Sequence, residues 1–129
     1  MKKSVILKTA AALAAGIAIF CAGVFAANKF GAPASIIHVV TIQWKPESTP
    51  AQRQTAIDGI KTMAAEIQGI KNIWLKSTKV QPSSYNAAFV IEFEDKAAAD
   101  RYVDHPAHRA WEKLYLPVRQ ESTSHQITN

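Results

Sequence analysis

The sequence predicts an α+β domain with the element order β-α-β-β-α-β, preceded by a separate N-terminal leader. Three observations lead to this prediction. Several segments are rich in β-branched and aromatic residues that alternate with period two, as in half-buried strands. Two others repeat apolar residues at spacings of three and four, as in amphipathic helices. The composition, 48% hydrophobic and 19% charged over 129 residues, is that of one ordinary globular domain.

The N-terminal leader has the charge pattern of a secretory signal peptide. Three lysines among its first eight residues precede an uncharged run over residues 10–27. Small residues place cleavage after Ala26, with a second candidate site after Ala34. The uncharged run is also just long enough to span a bilayer, so an uncleaved membrane anchor is the alternative. We therefore expect export to the periplasm or secretion, or else anchoring by residues 10–27.

Charge and cysteine content exclude several classes of function. Cys21 is the only cysteine and lies in the leader, so the exported domain contains no disulfide and no thiol chemistry. The formal net charge of +5 falls to +2 without Lys2, Lys3 and Lys8, since 12 basic and 10 acidic residues remain. The remaining basic residues are scattered, which gives nucleic-acid binding no support. We expect membrane contact only if the leader is retained.

The first strand and helix follow a short linker. Residues 1–26 form the signal peptide or anchor, residues 27–34 the linker, and residues 35–129 the domain. Residues 36–44 alternate with period two and predict the first strand, with its even-numbered side chains on one face. Thr49 and Pro50 then provide an N-cap and a proline at the first helical position.

The remaining elements follow from similar signals. Gly69 ends the first helix, and residues 70–80 predict the second strand. A turn at residues 81–84 leads to the third strand over residues 87–93, whose odd-numbered side chains form a strongly apolar face. Asp95 caps a second helix, which Pro106 interrupts before a further helical stretch around residues 111–115. A final strand over residues 118–127 closes the sheet.

This order is the split arrangement of the ferredoxin-like fold. Its two helical regions can cover only one face of a four-stranded sheet. The core of so small a domain is limited, so burial of the other face against an identical subunit would add stability. We therefore predict a symmetric homodimer, with Trp44, Trp74 and Trp111 in the core or the dimer interface.

Three segments form a recognisable set: residues 37–40 on the first strand, residues 89–93 on the third strand, and a Tyr-x-x-His-Pro-x-His run at residues 102–108. Together they resemble the stress-responsive dimeric α/β-barrel (Dabb) domain family, over roughly residues 35–128. The resemblance implies a ferredoxin-like subunit whose sheet packs on that of its partner to form a barrel. It implies much less about activity, because members include plant stress proteins of uncertain biochemistry.

The same resemblance suggests a site. His38, Tyr102 and His108 match the active-site histidine, tyrosine and histidine of a plant polyketide cyclase in this family. A histidine can take a proton from an acidic carbon while a tyrosine hydroxyl polarises the carbonyl. The structural alternative is a backbone-bonded histidine at 108, a packed Tyr102 and an interior His38. For His105 and Pro106 we expect a structural role at the break between the helices.

Two functions of different class remain open. The first, which we favour, is an exported homodimer that binds a small aromatic or polyketide-like ligand or is otherwise associated with stress, without catalysis. The second is a cofactor-free acid–base enzyme, of polyketide cyclase type or, less favoured, of monooxygenase type, using His108, Tyr102 and His38. We expect no cofactor and no metal, because a metal at His105 and His108 would lack a convincing third ligand.

Overall fold

A computed structural model describes residues 34–128 of the chain. The expected signal peptide or anchor, and all but the last residue of the linker, lie outside the described residues. Within residues 34–128, no helix is both long enough and apolar enough to cross a membrane.

The described chain has the predicted order of elements, with the second helical region divided in two. The elements are β1 (Ile36–Trp44), α1 (Pro50–Glu66), β2 (Ile70–Trp74), β3 (Ala87–Phe93), α2 (Lys96–Tyr102), α3 (Pro106–Tyr115) and β4 (Arg119–Ile127). The four strands form one antiparallel sheet in the order β2-β3-β1-β4. The predicted ferredoxin-like α+β fold is therefore confirmed.

The second strand is shorter than predicted. β2 ends at Trp74, whereas the sequence pattern extended it to residue 80. Its pairing with β3 stops where Trp74 lies opposite Val90. Residues 76–79 are all polar, so continuing the strand along the sheet would bury no apolar side chain, and residues 75–86 leave the sheet as a loop.

The helices begin at the residues that the sequence indicated. Thr49 and Gln52 form a reciprocal capping box at the start of α1, and the Asp95 side chain accepts a 2.8 Å hydrogen bond from the Ala98 amide at the start of α2. Gly69 follows α1 with φ at +92°, and a Cβ at this position would lie 2.5 Å from the Ala98 Cβ. Both its conformation and its close approach to α2 therefore require glycine.

The core lies between the helices and one face of the sheet. Val40 of β1 lies opposite Phe89 of β3, which puts the even-numbered side chains of β1 and the odd-numbered ones of β3 on the same face. α1 and α3 pack together over this face, and the Trp111 indole donates a 2.8 Å hydrogen bond to the Ala56 carbonyl. The largest fully buried side chains are those of Ile42, Ile60, Met63, Phe89, Ile91 and Phe93.

The opposite sheet face has apolar side chains at its centre and is not covered by any part of the chain that the structure describes. Val39 pairs with Val90, and Trp74 lies beside them on the same face. Trp74 is 46% exposed and Ile127, which pairs with Ile37, is 54% exposed. Of the three tryptophans, two are in the core and Trp74 lies on this open sheet face.

Candidate functional site

Three of the side chains singled out from the sequence come together from three elements. His38 lies on the helix-facing side of β1, Tyr102 ends α2, and His108 lies in the first turn of α3. The ring centroids of His38 and Tyr102 are 5.9 Å apart, and those of Tyr102 and His108 are 4.4 Å apart. The fold therefore gathers the three predicted site residues into one cluster.

The Tyr-x-x-His-Pro-x-His run produces this geometry locally. His105 is the N-cap of α3, and its Nδ1 accepts a 3.1 Å hydrogen bond from the Ala107 amide. Pro106 occupies the first helical position, where its missing N–H costs no hydrogen bond. The break between α2 and α3 turns His108 back toward Tyr102. His105 and Pro106 thus start α3 at this break, as its N-cap and its first helical residue.

The cluster borders a cavity of about 210 Å³ between the sheet, α3 and β4. Its apolar wall is formed mainly by Val40, Phe89 and Trp111. Polar groups line two regions of it, one around His38, Tyr102 and His108 and another around Tyr115, Arg119, Ser122 and Ser124. An apolar cavity with a few convergent polar groups is the usual form of a small-molecule site.

A larger space lies elsewhere on the domain and has different chemistry. This groove of about 550 Å³ runs between α1 and the start of the loop after β2. Its charged lining consists of Arg53, Asp58, Lys61 and Lys76, and the Asp58 carboxylate is already 2.8 Å from the Lys61 ammonium. No histidine lines it, so we place the candidate site in the smaller cavity.

His108 is held in an orientation that suits a base. Its Nδ1 lies 3.1 Å from the Val103 carbonyl oxygen, which can only accept, so Nδ1 carries the proton and Nε2 is left as the acceptor. Burial lowers the pKa of His108, and this effect outweighs the Glu112 carboxylate, whose Oε1 is 4.0 Å from Nδ1. The imidazole is therefore neutral at pH 7.

His38 and Tyr102 complete the cluster as neutral groups. Burial, and then the nearby His108, lower the pKa of His38, and its Nδ1 is buried without a hydrogen-bond partner among residues 34–128. Burial, and then the Glu112 carboxylate, raise the pKa of Tyr102 far above its usual range. Tyr102 therefore stays protonated and can donate a hydrogen bond at any physiological pH.

The second polar region of the cavity was missed from the sequence. The Tyr115 hydroxyl and the Arg119 Nε are buried without a hydrogen-bond partner within the described part of the chain. Burial raises the pKa of Tyr115, while polar contacts with Ser122 and Arg119 oppose this increase. Neither contact has the geometry of a regular hydrogen bond to the hydroxyl. The spacing of Trp111 and Tyr115 from His108, three and seven residues, is the sequence signal that places all three on one helix face.

The cavity is lined in part by neutral hydrogen-bonding groups. Across residues 34–128, no three His, Cys, Asp or Glu side chains converge as a metal site would require. The residues that line the cavity include a neutral base, His108, a neutral donor, Tyr102, and His38, whose buried Nδ1 has no partner among residues 34–128. These groups suit a ligand with a carbonyl or phenol oxygen.

Comparison with known proteins identifies the family. The family model for the stress responsive A/B barrel domain matches residues 36–129. The chain belongs to this family. The match confirms the resemblance drawn from residues 37–40, 89–93 and 102–108. No curated protein matches the chain significantly.

Solved structures of similar fold support this assignment. A Dabb family protein with a ferredoxin-like fold from Mesorhizobium loti is 25% identical, with a TM-score of 0.63 over 74% of this chain and 96% of that one. A dimeric ferredoxin-like protein of unknown function from Thermobifida fusca is 23% identical, with a TM-score of 0.65 over 79% and 97%. The hydroxynitrile lyase of Passiflora edulis is 13% identical, with a TM-score of 0.68 over 75% and 94%. The similarity to the latter two structures is a similarity of fold.

Proposed function

We propose that this Dabb protein is an exported homodimer that binds a small aromatic or polyketide-like molecule in the cavity beside His38, Tyr102 and His108. The observation that carries the proposal is the buried Nδ1 of His38, a residue that lines the cavity, because this atom has no partner among the described residues. A buried polar atom without a partner costs about 1–3 kcal/mol. A ligand that supplies the missing hydrogen bond accounts for a histidine at this position.

The size and walls of the cavity indicate the class of ligand. A volume of about 210 Å³ is below that of cavities that hold drug-sized molecules, which are roughly 300–1,000 Å³. A single-ring compound fits this space. Phe89 and Trp111 offer aromatic surface to the ring, while Tyr102 and His38 offer polar partners to its substituents.

The open sheet face supports the homodimer. In a monomer, four apolar side chains on this face would remain in contact with water: Val39, Trp74, Val90 and Ile127. A group of exposed apolar side chains on one face is typical of a protein–protein interface. A dimeric neighbour of the same fold, the protein from Thermobifida fusca, adds support. Sedimentation velocity of the purified protein tests this step, and a monomer at micromolar concentration would contradict it.

Ligand binding can be tested with 4-hydroxyacetophenone as the probe. The full chain is titrated while the fluorescence of Trp111, which lines the cavity, is followed together with that of the other tryptophans. We expect a saturable change in the wild type, at least a tenfold weaker response in His108→Ala, and no loss in Lys113→Ala, which alters an exposed position on the same helix. Equal responses in all three proteins would contradict the proposed site.

A second function, acid–base catalysis, is favoured by the protonation states of the cluster. His108 Nε2 is an unprotonated acceptor, and Tyr102 is a protonated donor with its ring 4.4 Å away. In such a site Nε2 would take a proton from the carbon beside a ligand carbonyl. The electron pair would move to the carbonyl oxygen, which Tyr102 would stabilise by donating a hydrogen bond.

Deuterium exchange distinguishes catalysis from binding alone. In D₂O, an enzyme of this kind replaces the methyl hydrogens of 4-hydroxyacetophenone with deuterium, which proton NMR follows directly. We expect exchange above the background rate for the wild type and a loss of roughly 100-fold or more in His108→Ala, the size typical of a lost general base. Binding without any catalysed exchange would leave ligand binding as the function.

Export rests on the leader alone. The support is its charge pattern, three lysines followed by the uncharged run over residues 10–27. Intact mass spectrometry of the chain recovered from the periplasm of a Gram-negative host tests this step. We expect a mature N-terminus after Ala26 or after Ala34. Full-length chain found only in the cytoplasm would contradict export, and full-length chain in the membrane fraction would indicate an anchor.

A further inference from the structure

The cavity is lined by a positively charged side chain that does not belong to the proposed ligand-binding cluster. Arg119 begins β4 and lines the cavity together with Tyr115, Ser122 and Ser124. Arginine stays charged under all physiological conditions, so a fixed positive charge borders this region of the cavity. Arg119 is half-buried, and burying part of such a charge is costly unless an anion or several hydrogen bonds compensate it.

The compensation within the described chain is incomplete. Arg119 Nη1 donates a 3.0 Å hydrogen bond to the Ser122 hydroxyl, and the guanidinium carbon lies 5.5 Å from the centre of the Tyr115 ring. Arg119 Nε is nevertheless buried without a partner, and so is the hydroxyl of Tyr115, a residue that is only 5% exposed. At the same end of one cavity, the Arg119 Nε and the Tyr115 hydroxyl therefore lack a hydrogen bond of regular geometry, although Ser122 and Arg119 lie close to that hydroxyl.

Their arrangement selects an anionic oxygen group. The Nε–H and Nη–H donors of arginine form a planar fork that matches the two oxygens of a carboxylate. A neutral Tyr115 hydroxyl adds a third donor, because burial keeps its pKa raised. We infer that Arg119, Tyr115 and Ser122 form a carboxylate-binding subsite, and that the ligand of the cavity is a small organic acid. This inference rests on the proposed ligand-binding function and specifies its ligand.

The rest of the cavity fixes the direction in which such an acid would lie. His108 and Tyr115 are seven residues apart on α3, which corresponds to about 10 Å along the helix axis. Glu112 lines the cavity between them, and Arg109 already pairs with it at 3.0 Å. The Glu112 carboxylate repels a second carboxylate near His108. The acid group is thus directed to Arg119 and the opposite end of the ligand to His38 and His108.

A matched pair of probes tests the subsite. The probes are 4-acetylbenzoate and 4-acetylbenzamide, which have the same ring and ketone but differ in the charge of the other substituent. With the full chain, isothermal titration calorimetry is expected to show at least tenfold tighter binding of the benzoate. Equal binding of the two probes, or no saturable binding of the benzoate, would overturn the inference.

Variants assign any preference to the subsite. Arg119→Gln is expected to remove the preference for the benzoate, Tyr115→Phe to reduce it several-fold while keeping the ring stacked on Trp111, and Arg101→Gln, at an exposed position of α2, to retain it. Circular dichroism checks that each variant is folded. Should Arg119→Gln fail to fold, Tyr115→Phe decides, and an unchanged preference there would overturn the inference.

The outcome also separates this inference from the proposed function. In one outcome, 4-hydroxyacetophenone binds and His108→Ala abolishes this binding, while Arg119→Gln does not change the relative affinities of 4-acetylbenzoate and 4-acetylbenzamide. The ligand-binding cluster then stands and the carboxylate subsite fails. The reverse result, a preference that depends on Arg119 with no dependence of any probe on His108, retains the subsite and rejects the cluster.

Discussion

Replacing His38 by phenylalanine is expected to stabilise the protein while abolishing ligand binding. The wild type buries the Nδ1 atom without a partner among residues 34–128, at a cost of about 1–3 kcal/mol. Phenylalanine removes this polar atom and keeps an aromatic ring near Phe93 and Tyr102, whose centroids lie 6.4 and 5.9 Å from that of His38. The neighbouring cavity can take up the slightly larger ring. We expect the free energy of unfolding to rise by about 1 kcal/mol at pH 7.

The assay is urea unfolding of both proteins at one fixed concentration, because the stability of a dimer depends on concentration. Lys113→Ala, at an exposed position of α3 away from the open sheet face, is the control and should leave the unfolding midpoint unchanged. A loss of more than 1 kcal/mol in His38→Phe would show that His38 stabilises the fold through a favourable interaction. That result would refute the interpretation of His38 as a binding group retained at a cost to stability.

Three further predictions follow from the same structure. Val90→Lys puts a charge in the middle of the open sheet face, and because a symmetric dimer carries it twice, we expect at least 100-fold weaker dimerisation by sedimentation equilibrium. Trp111→Phe loses the 2.8 Å hydrogen bond to the Ala56 carbonyl and should lower the free energy of unfolding, measured by urea unfolding, by about 1–2 kcal/mol. An unchanged free energy of unfolding would contradict the packing of α3 on α1. Burial lowers the pKa of His38 and His108, so the unfolded chain binds protons first as the pH falls through about 6.5. The free energy of unfolding should therefore fall between pH 7.5 and 5, and it should fall less in His38→Phe. Urea unfolding midpoints measured at each pH test this prediction.

The fold was predictable because its signals are local. The alternation of residues 36–44 and 87–93 fixes which face of each strand is buried, and Thr49, Asp95 and Pro106 mark helix starts by their own hydrogen-bonding chemistry. The end of β2 was not predictable in the same way. The polar residues 76–79 give a longer strand no apolar side chain to bury, but the point where pairing stops, with Trp74 opposite Val90, depends on the assembled sheet.

The candidate site was predictable only in part, for a related reason. His38, Tyr102 and His108 were found because a short motif and a strand position matched a known family pattern. Arg119 and Tyr115 carry no such pattern, and they reach the same cavity only because β4 lies beside β1 under the end of α3. Nor does the sequence show that polar atoms there lack partners, since that depends on every neighbouring side chain.

The most direct test of the candidate site is histidine NMR of the full chain during titration with 4-hydroxyacetophenone. Long-range ¹H–¹⁵N spectra resolve the imidazole nitrogens of the four histidines. A ligand in the proposed cavity shifts the signals of His38 and His108 along one saturable curve and leaves the exposed His125, on the other sheet face, unchanged. Saturable binding that shifts neither His38 nor His108, or that shifts His125 equally, would contradict the site.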